Sequence, residues 1–480
     1  MSIRIIAYII GSALKVEAAF LLLPLLCALI YGEALLPYII TILLCALLGS
    51  LLCLRPADKA EFQTREGFVA TGLVWIVLSL TGMLPFLLSG SVGSVCDAFF
   101  ETVSGLTTTG ASILTDVEKL PHGLLLWRSF MHWIGGMGIL VFMLTLLPFA
   151  GGSQMNLMKA ESPGPSISKL VPRARDTAKI LYGIYAAMTV LTIMILLLLR
   201  MPLFDALCIS FGAAGTGGFS ILNSGCATYT VAQQNVITIA MIAFGVNFNF
   251  YYLLFIHKAG LALKIEEVRW YLLIIGAAIL MITINLLSRG VYSSIPEALQ
   301  TSAFHVGSII TTTGYATTDV NLWPNFSQGI LVLLMFCGAC AGSTGGGLKV
   351  SRLILLFRSY TRELASFLHP GIVRQVHMDG KPVEPAVLRS TSAYFFIYMV
   401  IFAVSLMLLA PDTTDWITDY SAVAATFNNI GPGLGMVGTV GNYSGYSAFS
   451  KLVLSADMLI GRLEIFPIML LFARGTWRKF

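Results

Sequence analysis

Ten apolar runs, each about long enough to cross a bilayer, constrain this chain more than anything else in its 480 residues: 5–30, 36–54, 68–88, 124–147, 180–199, 236–256, 270–287, 330–357, 393–409 and 452–472. A hydrocarbon core about 30 Å thick needs about 20 apolar helical residues, because no water is present there to satisfy an open backbone. With 57% hydrophobic and 11% charged residues, the chain is no water-soluble globule. The runs are long and poor in period-2 alternation, which argues against a β-barrel. The expected fold is an all-α polytopic membrane protein with about ten transmembrane helices. Lys15 and Glu17 interrupt the first run and no clean cleavage site follows, so it reads as an uncleaved helix.

Basic residues set the orientation. Arg55, Lys59 and Arg65 follow the second run; Lys159, Lys169, Arg173, Arg175 and Lys179 follow the fourth; Lys258, Lys264 and Arg269 follow the sixth. Seven more run from Lys349 to Arg389, and Arg474, Arg478 and Lys479 close the chain, all on the same side of the alternating spans. That side is expected to be cytoplasmic, with both termini inside. The opposite connections carry Glu33, Asp97, Glu101, Asp116, Glu118, Asp205, Glu297, Asp319, Asp412, Asp415 and Asp419. This acidic face either follows from topology alone or concentrates cations at a pore mouth. The net charge of +5 does not imply nucleic acid. The eight cysteines lie mostly in apolar stretches, so no disulfide framework is expected, and Cys337 and Cys340 lack a second pair at metal-ligand spacing.

A repeat lies in the outer connections. Each of four holds a segment too short to span, then a glycine-containing string: TTTG ending at Gly110, AGTG at Gly217, TTTG at Gly314 and NNIG at Gly431. Non-spanning backbone at membrane depth is tolerated where protein buries it or a watery cavity wets it, so four such elements most economically surround one pore. The chain divides into a two-helix extension (1–66) and four pore repeats, 67–158, 159–257, 258–362 and 363–480, the third carrying a glycine-rich intramembrane loop.

An ion stripped of its water needs backbone carbonyls in exchange, and glycine permits the backbone angles and close approach that this requires. The candidate filter is Thr108, Thr109 and Gly110; Thr216 and Gly217; Thr312, Thr313 and Gly314; and Asn429, Ile430 and Gly431. Its neighbours Thr107, Thr311 and Asn428 are polar and uncharged, which favours a weakly hydrated monovalent cation over a divalent one. The ion itself is expected at Thr109, Gly110, Thr216, Gly217, Thr313, Gly314, Ile430 and Gly431.

The strings SGLTTTGAS (104–112), LLLWRSFMHWIGGMGILV (124–141), GTGGFS (215–220), TTTGYAT (311–317), CAGSTGGGLKVSR (340–352), NNIGPGLG (428–435) and GRLEIF (461–466) resemble the Trk/Ktr/HKT superfamily of potassium transporters, and within it the Trk-type membrane subunit. The resemblance spans nearly the whole chain. It implies potassium as the transported ion, a homodimer of pseudo-fourfold subunits in a bacterial inner membrane, and a cytosolic nucleotide-binding regulatory ring of the TrkA-like kind. In some plant members a serine in place of the first filter glycine accompanies sodium preference; Gly110 therefore favours potassium. AGTG and NNIG depart from the threonine pattern, so the ring is asymmetric.

Residues 326–360 would measure about 52 Å as one helix, too long for the core, so this segment must tilt, protrude or break. Five glycines within ten residues, Gly338 and Gly342 to Gly347, mark a break into a loop beneath the filter, unless they serve close helix packing. The candidate gate is Gly342, Ser343, Thr344, Gly345, Gly346 and Gly347 together with Arg462, which the resemblance puts beneath the filter. The alternative for Arg462 is an ion pair with Glu464 or Asp457. Arg128, with His132 four residues on, is expected to bind backbone carbonyls of the re-entrant segments. His132 and His305 read as interior histidines, and Lys349 and Arg352 either end a helix or line a vestibule. No phosphate-cradling glycine motif is present, so no nucleotide is expected on this chain. Rival readings are a proton- or sodium-coupled potassium symporter, a weakly selective potassium/sodium channel, an intramembrane serine protease, for which no Gly-x-Ser-x-Gly string exists, and a membrane scaffold.

Overall fold

The computed structural model describes residues 3–54, 64–138, 174–369, 375–412, 414–473 and 476. The fourth apolar run beyond 138 and the basic residues at 55, 59, 159–173, 374 and 474–479 lie outside them.

Among the described residues, six helical stretches are long and apolar enough to cross a bilayer: Ile3–Tyr31, Leu36–Cys53, Glu66–Leu88, Asp176–Leu198, Glu266–Ser288 and Pro385–Asp412. Their outer faces leave large apolar side chains uncovered, among them Leu47, Leu191, Leu273 and Met407, as expected where lipid is the neighbour. The chain is a multi-pass helical membrane protein. The first two stretches form a hairpin that crosses closely at Gly11 and Gly49, where an added Cβ on either would come within 2.8 Å of the other's carbonyl oxygen. Glu33, at the end of this hairpin, docks it to the rest by accepting bonds from the backbone N–H groups of His122 (2.6 Å) and Gly123 (2.9 Å).

Four short helices sit between the long ones: Val95–Leu106, Leu203–Gly215, Ile295–Ile310 and Trp416–Phe427. At 1.5 Å per residue they measure roughly 18–24 Å, short of a crossing. Ser94, Ser294 and Asp415 cap three of them through side-chain oxygens, and Pro202 precedes the fourth. Their C-terminal turns are buried.

The helices that return from these segments are broken rather than continuous, which corrects two of the expected spans, 236–256 and 452–472, while 330–357 breaks at the glycines that marked it. Run 236–256 is two helices, Val231–Phe244 and Phe248–Phe255, bent by 92° at Gly245–Asn247. Run 330–357 is Asn325–Cys337, a loop, and Val350–Leu368; run 452–472 is Ala448–Arg462 and Phe466–Phe472. The helix His122–Gly136 ends within run 124–147 at a Gly-Gly pair. Glycines or a backbone side-chain competitor such as Asn247 stand at three of these breaks, and at the fourth Glu464 and Ile465 take positive φ.

Candidate functional site

Each short helix ends in the same backbone turn. Thr108, Thr216, Thr312 and Asn429 are left-handed, with φ of 56°, 53°, 61° and 56°. The following residue donates its N–H five residues back, Thr109 to Ser104, Gly217 to Gly212, Thr313 to Ser308 and Ile430 to Ala425, at 2.8–2.9 Å. The residue after that is a glycine with φ of 80°, 76°, 84° and 96° at Gly110, Gly218, Gly314 and Gly431. The four strings meet in a closed ring. A Cβ on Gly110 would be driven onto the carbonyl oxygen of Gly217, one on Gly218 onto Thr313, one on Gly314 onto Ile430, and one on Gly431 to 2.6 Å from Thr109. These glycines are required both by their angles and by the neighbour's carbonyl. Among the described residues, none donates a hydrogen bond to the carbonyl oxygens of Thr109, Gly217, Thr313 or Ile430. Four buried, unspent acceptors on adjacent strings are the chemistry that a dehydrated cation needs.

This geometry corrects the register of the second string. Gly217 corresponds to Thr109, Thr313 and Ile430, and Gly218, which the AGTG alignment passes over, corresponds to Gly110. The two-residue match is therefore Gly217–Gly218 rather than Thr216–Gly217. The reason position 217 is glycine is also on view: a Cβ there would enter the imidazole of His132, whose Nε2 accepts from the N–H of Phe219 at 3.3 Å. His132 fills the space that a threonine side chain takes in the first and third strings, where Thr107 and Thr311 bond to Thr109 and Thr313 at 2.8 Å.

Outside the ring lies a cavity of about 200 Å³, open to solvent and lined from all four strings, including Ser112, Ser220, Ala316 and Tyr443. No carboxylate lines it among the described residues. Several of the acidic residues in the outer connections are engaged with partners. Glu101 is fully buried against Arg128 at 2.8 Å, Asp97 meets Lys451 at 2.7 Å, and Asp419 accepts from the Tyr446 hydroxyl at 2.9 Å. Arg128 does reach a re-entrant carbonyl, that of Ser220 at 3.0 Å, but its carboxylate partner escaped sequence reasoning because Glu101 looked like one more outer-loop acid.

On the other side of the ring, residues 338–349 form the expected break, with positive φ at Gly338, Gly342, Gly347 and Lys349. The N–H of Gly346 donates to Thr312 Oγ1 at 2.6 Å, and Cβ atoms on Gly345 and Gly346 would lie 2.9 Å from the Thr311 carbonyl oxygen and 2.6 Å from that of Asn428. Thr344 bonds the Phe244 carbonyl, Cys340 that of Gly245, and Gly342 accepts from Phe248, so the loop is stitched into the 92° bend. Ser343 turns back onto the Cys340 carbonyl at 2.7 Å. Glu267 holds both shoulders of the loop, accepting from Ala341 N–H at 2.7 Å and Ser351 N–H at 3.1 Å. Sequence reasoning missed it, since its place at the start of a span reads as an interfacial charge.

Arg462 pairs with neither Glu464 nor Asp457. Its guanidinium donates to the carbonyl oxygens of Thr344 (2.9 Å), Gly136 (2.7 Å) and Gly135, joining the loop to the end of the first returning helix. Glu464 instead binds Arg352, which lies 4.0 Å above the Tyr394 ring, and Asp457 accepts from Ser405 at 2.6 Å. Lys349 is buried with its ammonium on the Gly345 carbonyl, so it is part of the loop and not a mere helix end.

The family model described as TrkH, cation transport protein, matches residues 37–478. The chain is 36% identical over 491 aligned positions to the Trk system potassium uptake protein TrkH of Salmonella typhimurium, with 100% of each covered. It is 30% identical to the Trk system potassium uptake protein TrkG of Escherichia coli, covering 99% of each. The crystal structure of the potassium transporter TrkH from Vibrio parahaemolyticus superposes with a TM-score of 0.90 at 33% identity, over 100% of both chains.

Proposed function

The chain belongs to the TrkH family of cation transport proteins, and from that premise we propose that it takes up potassium through a pore on the axis of its four-string ring. The observation that carries this reading is the ring of four buried, unspent carbonyl oxygens at Thr109, Gly217, Thr313 and Ile430, each held beside the glycine of the preceding string. Potassium, weakly hydrated, exchanges its water for such carbonyls; Thr108, Thr216, Thr312 and Asn429 support the strings from the inner side and Gly110, Gly218, Gly314 and Gly431 let them close.

The loop 338–349 is the barrier in this reading. It abuts Thr311, Thr312 and Asn428, and Arg462 adds a fixed positive charge where a cation must pass. A partner that pulled on the neighbouring cytoplasmic segments would open it. A cytosolic nucleotide-binding ring on the basic faces, a homodimer, a bacterial inner membrane and cytoplasmic termini complete the proposal, consistent with relatives named for a Trk system.

The test is ion flux into proteoliposomes that contain the purified chain, comparing potassium, rubidium, sodium and lithium. Downhill flux favouring potassium and rubidium supports the pore. Flux indifferent to the ion removes the carbonyl ring as a filter, and uphill flux driven by a pH gradient assigns a symporter instead.

A further inference from the structure

We propose that the buried Glu101–Arg128 ion pair is a positioning pair for ion discrimination, setting the gap between the first and second strings; the proposal rests on the pore reading above. Ser112 and Ser220 each stand two residues beyond the positive-φ glycine of their string, so they lie at one level of the ring. Arg128 spans that gap. Its Nη1 donates to the Ser220 carbonyl at 3.0 Å, its Nη2 reaches Ser112 Oγ at 3.3 Å, and its Nε donates to Glu101 Oε1 at 2.8 Å. Glu101 grips the first string in turn, accepting from Ile113 N–H at 3.0 Å and from the Ser112 hydroxyl at 3.0 Å. The guanidinium carbon sits over the ring of Phe219, 4.0 Å from its centroid, a cation–π contact that adds a further anchor on the second string.

Among the described residues, neutral bonds link the other strings directly: Cys226 N–H to the Ala316 carbonyl between the second and third, the Asn321 amide to both backbone groups of Gly435 between the third and fourth, and Tyr443 N–H to the Ser112 carbonyl between the fourth and first, where the Asp97–Lys451 pair joins the flanking helices rather than the strings. At the first–second junction the string carrying Gly217 has no side chain of its own at that position, and a charged fork stands in for lost packing. A buried ion pair is a poor source of stability, because desolvation offsets the attraction. A planar, multidentate fork is a good source of fixed geometry, and the pair as a whole adds no net charge to the cavity that Arg128 lines.

The experiment measures the potassium-over-sodium permeability ratio and the melting temperature of the full chain in liposomes, for Arg128→Lys, for the neutral double variant Glu101→Gln/Arg128→Gln, and for Gly110→Ser as comparator. Lysine keeps the charge and cannot reach both strings; the double variant leaves no unpaired buried charge and so remains informative if Arg128→Lys fails to fold. The expected result is a ratio lowered roughly tenfold in both, about the effect of one charge-assisted hydrogen bond, with flux per folded molecule retained. A parental ratio with only a lowered melting temperature overturns the positioning role. If Gly110→Ser also leaves the ratio unchanged, the pore reading itself has failed.

Discussion

Gly217 and Gly218 are chemical equals with opposite reasons for being glycine. Gly218 is forced by its backbone, at φ 76° and against the Thr313 carbonyl, whereas Gly217 is forced by the side chain of His132. Substituting alanine at either site is expected to impair potassium uptake, but adding His132→Ala is expected to restore Gly217→Ala and leave Gly218→Ala defective. The left-handed angle alone costs Gly218→Ala about 1–2 kcal/mol, seen as a lower melting temperature. Equal rescue of both would refute this register. The threonine strings around Gly110 and Gly314 were legible from sequence because their spelling is distinctive. The second was legible only to within one residue, since G-T-G-G accepts two alignments and backbone angle alone separates them. Glu101 was misread for a related reason: counting charges by loop cannot tell an exposed acid from one folded inward onto an arginine of the next helix.

At the scale of elements, apolar runs show where helices lie and say little about where they break. The loop 338–349 was legible because its glycines are many; the 92° bend at Gly245–Asn247 and the turn at Glu464–Ile465 were not, because one or two residues suffice once a neighbour supplies the missing backbone bonds. Here the neighbours are the breaks themselves, as Gly245 and Phe248 bond the loop and Arg462 ties it to Gly136. Arg462→Ala removes the bonds to the Thr344, Gly135 and Gly136 carbonyls and one positive charge from this junction. Potassium flux is expected to rise, roughly tenfold for each 1.4 kcal/mol taken from the barrier, while expression stays near parental. Well-expressed protein with unchanged or reduced flux would exclude Arg462 from the barrier.

At the scale of the molecule, the family and the mostly helical membrane fold were both legible, since hydropathy and the repeated strings extend over the whole length. How the outer connections meet was not. Asp116 and Asn223, far apart in sequence, clasp over the first–second junction: Asn223 donates its amide to Asp116 at 2.8 Å and accepts from Val117 N–H at 2.8 Å. The Asn223 amide, then Lys119, hold the partly exposed Asp116 carboxyl below its ordinary range. A carboxylate depressed in the folded state supports the clasp above its ordinary pKa, about 4, and the support is lost as pH falls through the depressed value. Acidification below about pH 4 is therefore expected to raise the protection-corrected hydrogen exchange of Val117 and Asn223, and Asp116→Asn to weaken that dependence. Finally, all four strings belong to one polypeptide. A tube assembled from four identical chains must accept any substitution four times over, whereas here a single codon alters one quarter of the wall. The pairing of Gly217 with His132 in one quarter only is a change of that kind, so selectivity in such a molecule can drift in small steps, one sector at a time, with three unaltered sectors keeping the conduit open.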